Sequence, residues 1–332
     1  MLELTFTLEN TMFLIRTTLV ISLGLVTTCA LRAQVVRDEI HTLTSITAPE
    51  NAFLSGTPRG VPSTLAGDLR IPRPGTDRLP VVVLLHGTGG ISGQVTDWEQ
   101  ELNAMGIATF RLDSYTGRGL TTTFNDQDQF GRLNMMYDAW RAFELLERHP
   151  RIDPERIALM GFSLGGQATL AASTRRFQKS YGPTSRREFA TYVPFYPQCN
   201  IRYRGDEELT SKPVRVFHGS ADDWAPIAPC RPLIEQAKSK GADISLTEFP
   251  DAHHIFDWQL VRQPLRIGTA QAIKACRVQE GPNATYVNAE SGADFTWKDA
   301  CVTRGATIGF NEAASVAARK SVKEHLALVL RP

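Results

Sequence analysis

The chain has 332 residues, 42% of them hydrophobic, and a formal net charge of +1. That is enough apolar side chain to bury a large core, which excludes fibrous and disordered classes. The near-neutral balance, with no long run of Lys or Arg, lacks the electrostatic footprint of a nucleic-acid binder.

Residues 1–33 read as a signal peptide. Arg16 precedes an uncharged stretch from Thr17 centred on Leu19, Val20, Ile21, Leu23, Leu25 and Val26, and small residues follow at Ala30 and Ala33. Glu3 and Glu9 suit such a leader poorly, which marks Met12 as an alternative start. The stretch is short for a bilayer span, so the expectation is an exported protein, periplasmic or secreted, with no stable membrane span after processing. An uncleaved N-terminal anchor is the alternative; Thr28 before Cys29 makes a poor lipobox.

From there to the C-terminus the pattern is that of a single α/β domain, residues 34–332. His41–Thr47 and Leu65–Ile71 read as an antiparallel lead-in. Apolar runs at Pro80–Leu85, Ile107–Leu112, Ile157–Met160, Val193–Tyr196, Val214–Phe217 and Ile244–Phe249 read as buried strands. Helical patterns separate them at Asp97–Met105, Asp126–Glu147, Leu164–Arg175 and Arg231–Lys240, and a last helix covers Glu312–Leu328 with Asn311 as its N-cap. Strands alternating with helices predict a mostly parallel sheet flanked by helices on both faces. Residues 258–310, polar and rich in small side chains, read as an appendage on that domain.

Beyond the leader stand Cys199, Cys230, Cys276 and Cys301, an even set in a chain bound for an oxidising compartment. Pairs Cys199–Cys230 and Cys276–Cys301 are expected because each brackets adjacent elements; four buried thiols are the alternative. None of these has the C-x-x-C spacing of a zinc site, and no metal is expected.

The strand at Ile157–Met160 runs into Gly161-Phe162-Ser163-Leu164-Gly165-Gly166 and then a helix. This is a G-x-S-x-G turn in its strand–turn–helix context, which exposes a serine hydroxyl at the sheet edge above a helix N-terminus. The Leu164 N–H then faces the position of a developing oxyanion. A serine needs an imidazole to take its proton and a carboxylate to orient that imidazole. Strand Val214–Phe217 ends in His218-Gly219-Ser220-Ala221-Asp222-Asp223-Trp224-Ala225-Pro226, and strand Ile244–Phe249 in Pro250-Asp251-Ala252-His253-His254-Ile255-Phe256. The order is therefore serine, acid, histidine, with Asp222 or Asp223 and His253 or His254 as the members. His86-Gly87-Thr88-Gly89-Gly90 follows the first long strand, where this architecture takes its second oxyanion donor, assigned to the Thr88 N–H. That loop lacks a Walker ending and a G-x-G-x-x-G spacing, so a nucleotide site is not indicated. His86 and His218 are read as loop braces. Tyr115 and Arg118, in the loop after Ile107–Leu112, and Trp224 beside the acid are candidates to line a substrate pocket.

Gly161–Gly166, the acid loop 218–226 and Pro250–Phe256 together resemble the dienelactone hydrolase family of the α/β-hydrolase superfamily, over roughly residues 65–257. That family's acid loop, Gly-x-x-Asp-x-x-x-Pro, falls on Asp222 and its histidine loop, Pro-Gly-Ala-x-His-x-Phe, on His254. The resemblance implies an α/β-hydrolase fold and hydrolysis of small-molecule esters or lactones without a cofactor. Founding members carry a cysteine nucleophile; Ser163 stands there in this chain, which points to a more general esterase than one for dienelactones. The competing readings are a peptidase of the prolyl-oligopeptidase type, which usually carries a large additional β domain, and a non-catalytic binding protein on the same scaffold.

Overall fold

The computed structural model describes residues 37–331; the leader predicted at 1–33 lies outside them. In chain order the elements are β1 (Arg37–Thr47), β2 (Val61–Ile71), β3 (Leu79–Leu85), α1 (Gly93–Ala104), β4 (Ala108–Asp113), α2 (Arg132–Leu146), β5 (Ile152–Phe162), α3 (Leu164–Ala172) and α4 (Arg175–Tyr181). There follow β6 (Tyr192–Phe195), β7 (Ile201–Arg202), β8 (Val214–Gly219), α5 (Cys230–Ser239), β9 (Ile244–Phe249), β10 (Leu265–Ala272), β11 (Val278–Glu280), β12 (Tyr286–Asn288), β13 (Thr303–Ile308) and α6 (Glu312–Leu330). Among the described residues no helix is long and apolar enough to cross a membrane.

Eight strands form one sheet in the order β1-β2-β4-β3-β5-β6-β8-β9. The six from β4 to β9 are mutually parallel, and β2 joins β4 antiparallel, with β1 antiparallel to β2. The centre of the sheet is dry because its strands carry apolar side chains on both faces. In β3 every residue is buried, and the period of two sends Val81, Val83 and Leu85 to one layer and Val82 and Leu84 to the other. The first layer is covered by α2, α3 and α5. The second is covered by α1, through Val95, Trp98 and Leu102, and by α6, through Ala314, Ala318, Val322, Leu326 and Leu330 at every fourth position. Each Val or Leu so buried contributes about 1.5–3 kcal/mol against chain entropy. The architecture is the α/β-hydrolase fold that the sequence implies.

The long helices differ at their ends from the sequence reading. α1 begins at Gly93 instead of Asp97, and α2 at Arg132 instead of Asp126, because residues 127–129 form a separate 3-10 turn and Phe130 is extended. The helix expected to reach Arg175 stops at Ala172, where the Thr174 side chain caps the new helix α4 by accepting from the Phe177 N–H. Asn311 caps α6 as expected, accepting from the Ala314 N–H at 3.0 Å.

Residues 258–310 hold four strands. β10 and β13 pair antiparallel as a small sheet, and β12-β11-β7 form another. Ala270, Ala272, Ala306 and Ile308 of the first pack on Trp224, so β10 and β13 form a wall against the acid loop, while residues 289–294 are exposed. Both expected disulfides are formed. Cys199–Cys230 spans 4.9 Å between Cα atoms and Cys276–Cys301 spans 5.0 Å, and two such bridges fit an oxidising, exported setting.

Cys276–Cys301 closes a sequence separation of 25 residues within this wall. Replacing both cysteines with serine is expected to lower unfolding free energy by about 2–4 kcal/mol. A denaturant titration checks this, and an unshifted midpoint contradicts it.

Candidate active site

Ser163 sits between β5 and α3 with φ 54° and ψ −112°, a backbone conformation costing about 1–3 kcal/mol and held by its surroundings. The glycines around it are dictated by contact. A Cβ at Gly161 would lie 2.2 Å from the Gly165 carbonyl oxygen, one at Gly165 would lie 2.5 Å from the Leu85 oxygen, and one at Gly166 would lie 2.3 Å from the Phe195 oxygen. The turn therefore closes only without side chains at these places, with α3 pressed onto the ends of β3 and β6.

At this edge the three strand-end loops converge. His254 Nε2 is 2.9 Å from Ser163 Oγ, and His254 Nδ1 is 2.6 Å from Asp222 Oδ2. Asp222 Oδ1 accepts from the Trp224 and Ala225 N–H groups at 2.9 and 2.8 Å. Burial by itself pushes the Asp222 carboxyl up; the charge of His254 and hydrogen bonds from His218 and His254 overcome it and hold the pKa well below the usual carboxylate range. His218 Nε2 donates to the Ala225 oxygen at 2.7 Å and lies 3.4 Å from Asp222 Oδ2, so it braces the acid loop. Ser163 is half-buried and reachable, whereas His254 and Asp222 are enclosed.

The neighbouring carboxylate and imidazole are spent elsewhere. Asp223 accepts from the Thr307 N–H at 2.7 Å and from its hydroxyl at 3.2 Å, and His253 Nδ1 is 3.1 Å from the Ala221 oxygen. Thr88 and Leu164 flank Ser163. A Cβ at Gly87 would lie 3.4 Å from Ser163 Cβ, which measures how near this loop passes. The Thr88 carbonyl is fixed by Thr123 N–H and Thr122 Oγ1 at 2.8 and 3.0 Å, while among the described residues neither Thr88 N–H nor Leu164 N–H is committed to an acceptor. His86 accepts from the Ser114 N–H at 3.3 Å and burial lowers its pKa, as suits a neutral brace.

Two of the three pocket candidates are buried and already paired. Arg118 is buried with its guanidinium fully occupied: Nε donates to Thr47 Oγ1 at 2.7 Å, Nη1 to the Ser114 oxygen and Asp138 Oδ2 at 2.7 and 2.8 Å, and Nη2 to the Ile46 oxygen and Asp138 Oδ1 at 2.8 Å each. Tyr115 is 1% exposed, its hydroxyl 2.8 Å from Thr123 Oγ1 and its ring against His86 and Phe130. Both fasten the loop after β4 to the core. Trp224 does border the site, with its ring 5.2 Å from that of His254 and its indole N–H donating to the Gln271 oxygen at 3.0 Å.

Side chains outside the sequence reading complete the surroundings. The Tyr196 ring lies 4.7 Å from His254, opposite in origin to Trp224. Its hydroxyl donates at 2.9 Å to Asp257, a buried carboxylate that also accepts from Trp98 Nε1 at 2.7 Å and from Gln94. The only signal in sequence is a tyrosine ending a strand; φ 34° at Tyr196 appears only in the structure. The wall of β10 and β13 holds the histidine loop directly, since the Gly309 N–H donates to the His254 oxygen at 3.1 Å. A cavity of about 630 Å³ opens elsewhere, between residues 47–51, 127–134 and 285–297, and neither Ser163, His254 nor Asp222 lines it.

These features define an α/β-hydrolase site, and the comparisons with known proteins place it further. The model of the dienelactone hydrolase family matches residues 68–275, more than half of the chain; the chain belongs to that family, whose members are hydrolases. It is similar to the "Uncharacterized peptidase YuxL" of Bacillus subtilis (strain 168), 26% identical over 136 residues, covering 33% of this chain and 20% of that one. It is similar also to the "Uncharacterized protein YfhR" of Salmonella typhi, 26% identical over 198 residues, covering 52% and 64%. The chain thus spans less than two thirds of the length of either relative. Among solved structures it shares the fold of a dienelactone hydrolase-like promiscuous phosphotriesterase, P91, from metagenomic libraries, at 13% identity with a TM-score of 0.55, covering 88% of this chain and 98% of that one.

Two outcomes follow from the site. Arg118→Ala strands the Asp138 carboxylate in the core and is expected to cost about 3–5 kcal/mol of stability while leaving KM of the folded fraction unchanged; a raised KM with unaltered stability contradicts this. Asp222 has a depressed pKa in the folded state, so its stabilisation is present above its unfolded value near 4 and is lost as pH falls toward the folded value. The stability gap between wild type and Asp222→Asn therefore narrows from about pH 5 to about pH 2, measured by chemical denaturation; a constant gap contradicts it.

Proposed function

We propose that this hydrolase cleaves carboxylic ester or lactone bonds through an acyl-enzyme on Ser163. The observation that carries the reading is the continuous line from Ser163 Oγ through His254 to Asp222, 2.9 and 2.6 Å per link. His254 Nε2 takes the serine proton as Oγ attacks the carbonyl carbon, and Asp222 holds Nδ1–H and stabilises the imidazolium. The tetrahedral oxyanion accepts from the Thr88 and Leu164 N–H groups, each donor of this kind being worth about 10²–10³ in rate. His254 then returns the proton to the departing alkoxide, leaving the acyl group on Ser163. Water gives a proton to His254 and attacks the acyl carbon; collapse releases the acid and restores the serine hydroxyl. For a lactone the alkoxide and the acid stay on one molecule.

Trp224 and Tyr196, with rings near that of His254, act in this reading as walls that limit how the imidazole can turn. The same reading takes residues 34–332 as one catalytic domain, preceded by an export signal at 1–33. A peptidase is the second reading, favoured by the name of the Bacillus subtilis relative.

Kinetics on p-nitrophenyl esters against peptide anilides test the proposal. Ser163→Ala and Asp222→Asn are expected to lower kcat about 10⁴-fold or more on esters, whereas Asp223→Asn stays within a few-fold of wild type. Equal losses in Asp222→Asn and Asp223→Asn, full activity in Ser163→Ala, or turnover of anilides in preference to esters overturns it.

A further inference from the structure

At the far end of the sheet from Ser163, three side chains with metal-ligating atoms meet. Glu39 and His41 stand two apart on β1 and so project from the same face of that strand. His149 reaches them from the loop between α2 and β5. His41 Nε2 lies 2.8 Å from Glu39 Oε2 and His149 Nε2 lies 3.1 Å from the same oxygen. All three ligand atoms fall within 4.8 Å of one another. The two imidazoles are set edge to face, 5.5 Å between centroids at 87°, with both Nε2 atoms turned to the same Glu39 oxygen. The other carboxylate oxygen of Glu39 forms an ion pair with the exposed Arg37, Nε at 2.6 Å.

The two His–Glu spacings approach the edges of a coordination shell. With metal–nitrogen and metal–oxygen bonds of about 2.0–2.2 Å, ligand atoms in a tetrahedral shell stand somewhat over 3 Å apart, close to the two His–Glu separations here. Two imidazoles and one carboxylate form a donor set suited to Zn²⁺ and its borderline neighbours rather than to Ca²⁺ or Mg²⁺, which favour all-oxygen shells. The cluster is partly buried, with side-chain exposures of 14% for Glu39, 26% for His41 and 8% for His149, so one side stays open to an incoming ion and its water.

We propose that Glu39, His41 and His149 form a binding site for a divalent transition-metal ion, Zn²⁺ in the first place, that clamps β1 to the body of the fold. In the metal-free chain each Nε2–H donates to Glu39; on binding, each Nε2 becomes a ligand and its proton passes to Nδ1 of the same neutral ring. The contact that gives way is the Arg151 N–H, 3.2 Å from His149 Nδ1. The role is structural. β5 starts at Ile152 beside His149 and ends at Phe162 beside Ser163, which puts the ion roughly 30 Å from the serine at about 3.3 Å per strand residue. Nothing in this site depends on what Ser163 does.

The test uses the untagged chain, freed of metal and dialysed against Zn²⁺. Metal analysis is expected to give one tightly held ion per chain, with affinity falling at least about tenfold in His41→Ala and in His149→Ala but unchanged in Ser163→Ala. Saturating Zn²⁺ is expected to raise the melting temperature of wild type by about 2 °C or more, and that of either histidine variant by less; Mg²⁺ gives no rise. As a second probe, Co²⁺ in wild type shows a visible d–d band that His41→Ala loses. Absence of bound Zn²⁺ in wild type, or equal Zn²⁺ binding in wild type and both histidine variants, overturns the proposal.

Discussion

The turn at Ser163 governs the rest of the molecule. A non-glycine residue at φ 54° is held there only because α3 is pressed against the strand ends, and that pressure has a geometric price in side chains: positions 161, 165 and 166 admit none. The same close packing brings the Gly87–Thr88 loop against Ser163 and leaves the Leu164 N–H at the start of α3 without an acceptor among the described residues. In the proposed mechanism nucleophile, donors and helix dipole are thus one structural event, and the strand order of the sheet sets where the other two loops must arrive.

Those loops are fixed by residues far away in the chain. Asp222 is gripped by its own backbone and by two histidines, while Asp223 beside it bonds to Thr307 of β13. Trp224 bonds to Gln271 of β10, and the His254 carbonyl to Gly309. The small sheet of β10 and β13, with Gly309 just past it, therefore bonds to Asp223 and Trp224 of the acid loop and to His254 of the histidine loop. Beneath His254, the buried Asp257 gathers Tyr196, Trp98 and Gln94 into one hydrogen-bonded cluster, of the kind that fixes a unique arrangement when every member is satisfied.

What was legible in the sequence is what local pattern dictates. Continuous apolar runs such as β3 have only one burial consistent with both faces being hydrophobic, and glycines at 161, 165 and 166 mark a turn that nothing larger fits. The meeting of Ser163, Asp222 and His254 follows from those strand ends and from the motif spacing. Illegible were features set by distant partners. Arg118 sits at the expected edge, but its position gives no hint that Asp138 and the end of β1 will absorb all of its donors. β10 and β13 were hidden because their strands carry Gly, Thr, Ala and Gln, whose burial depends on Trp224 lying above them. The Asp257 cluster joins residues 61 and 163 positions apart, beyond the reach of any periodicity.

In the proposed mechanism Ser163 becomes acylated during turnover. Intact-mass and peptide-mapping spectrometry of protein quenched in acid during steady-state hydrolysis of p-nitrophenyl acetate tests it most directly. A single acetyl group is expected on the peptide bearing Ser163, absent when His254 is replaced by alanine. An unmodified chain caught in active turnover, or an acetyl group mapped to another residue, contradicts it.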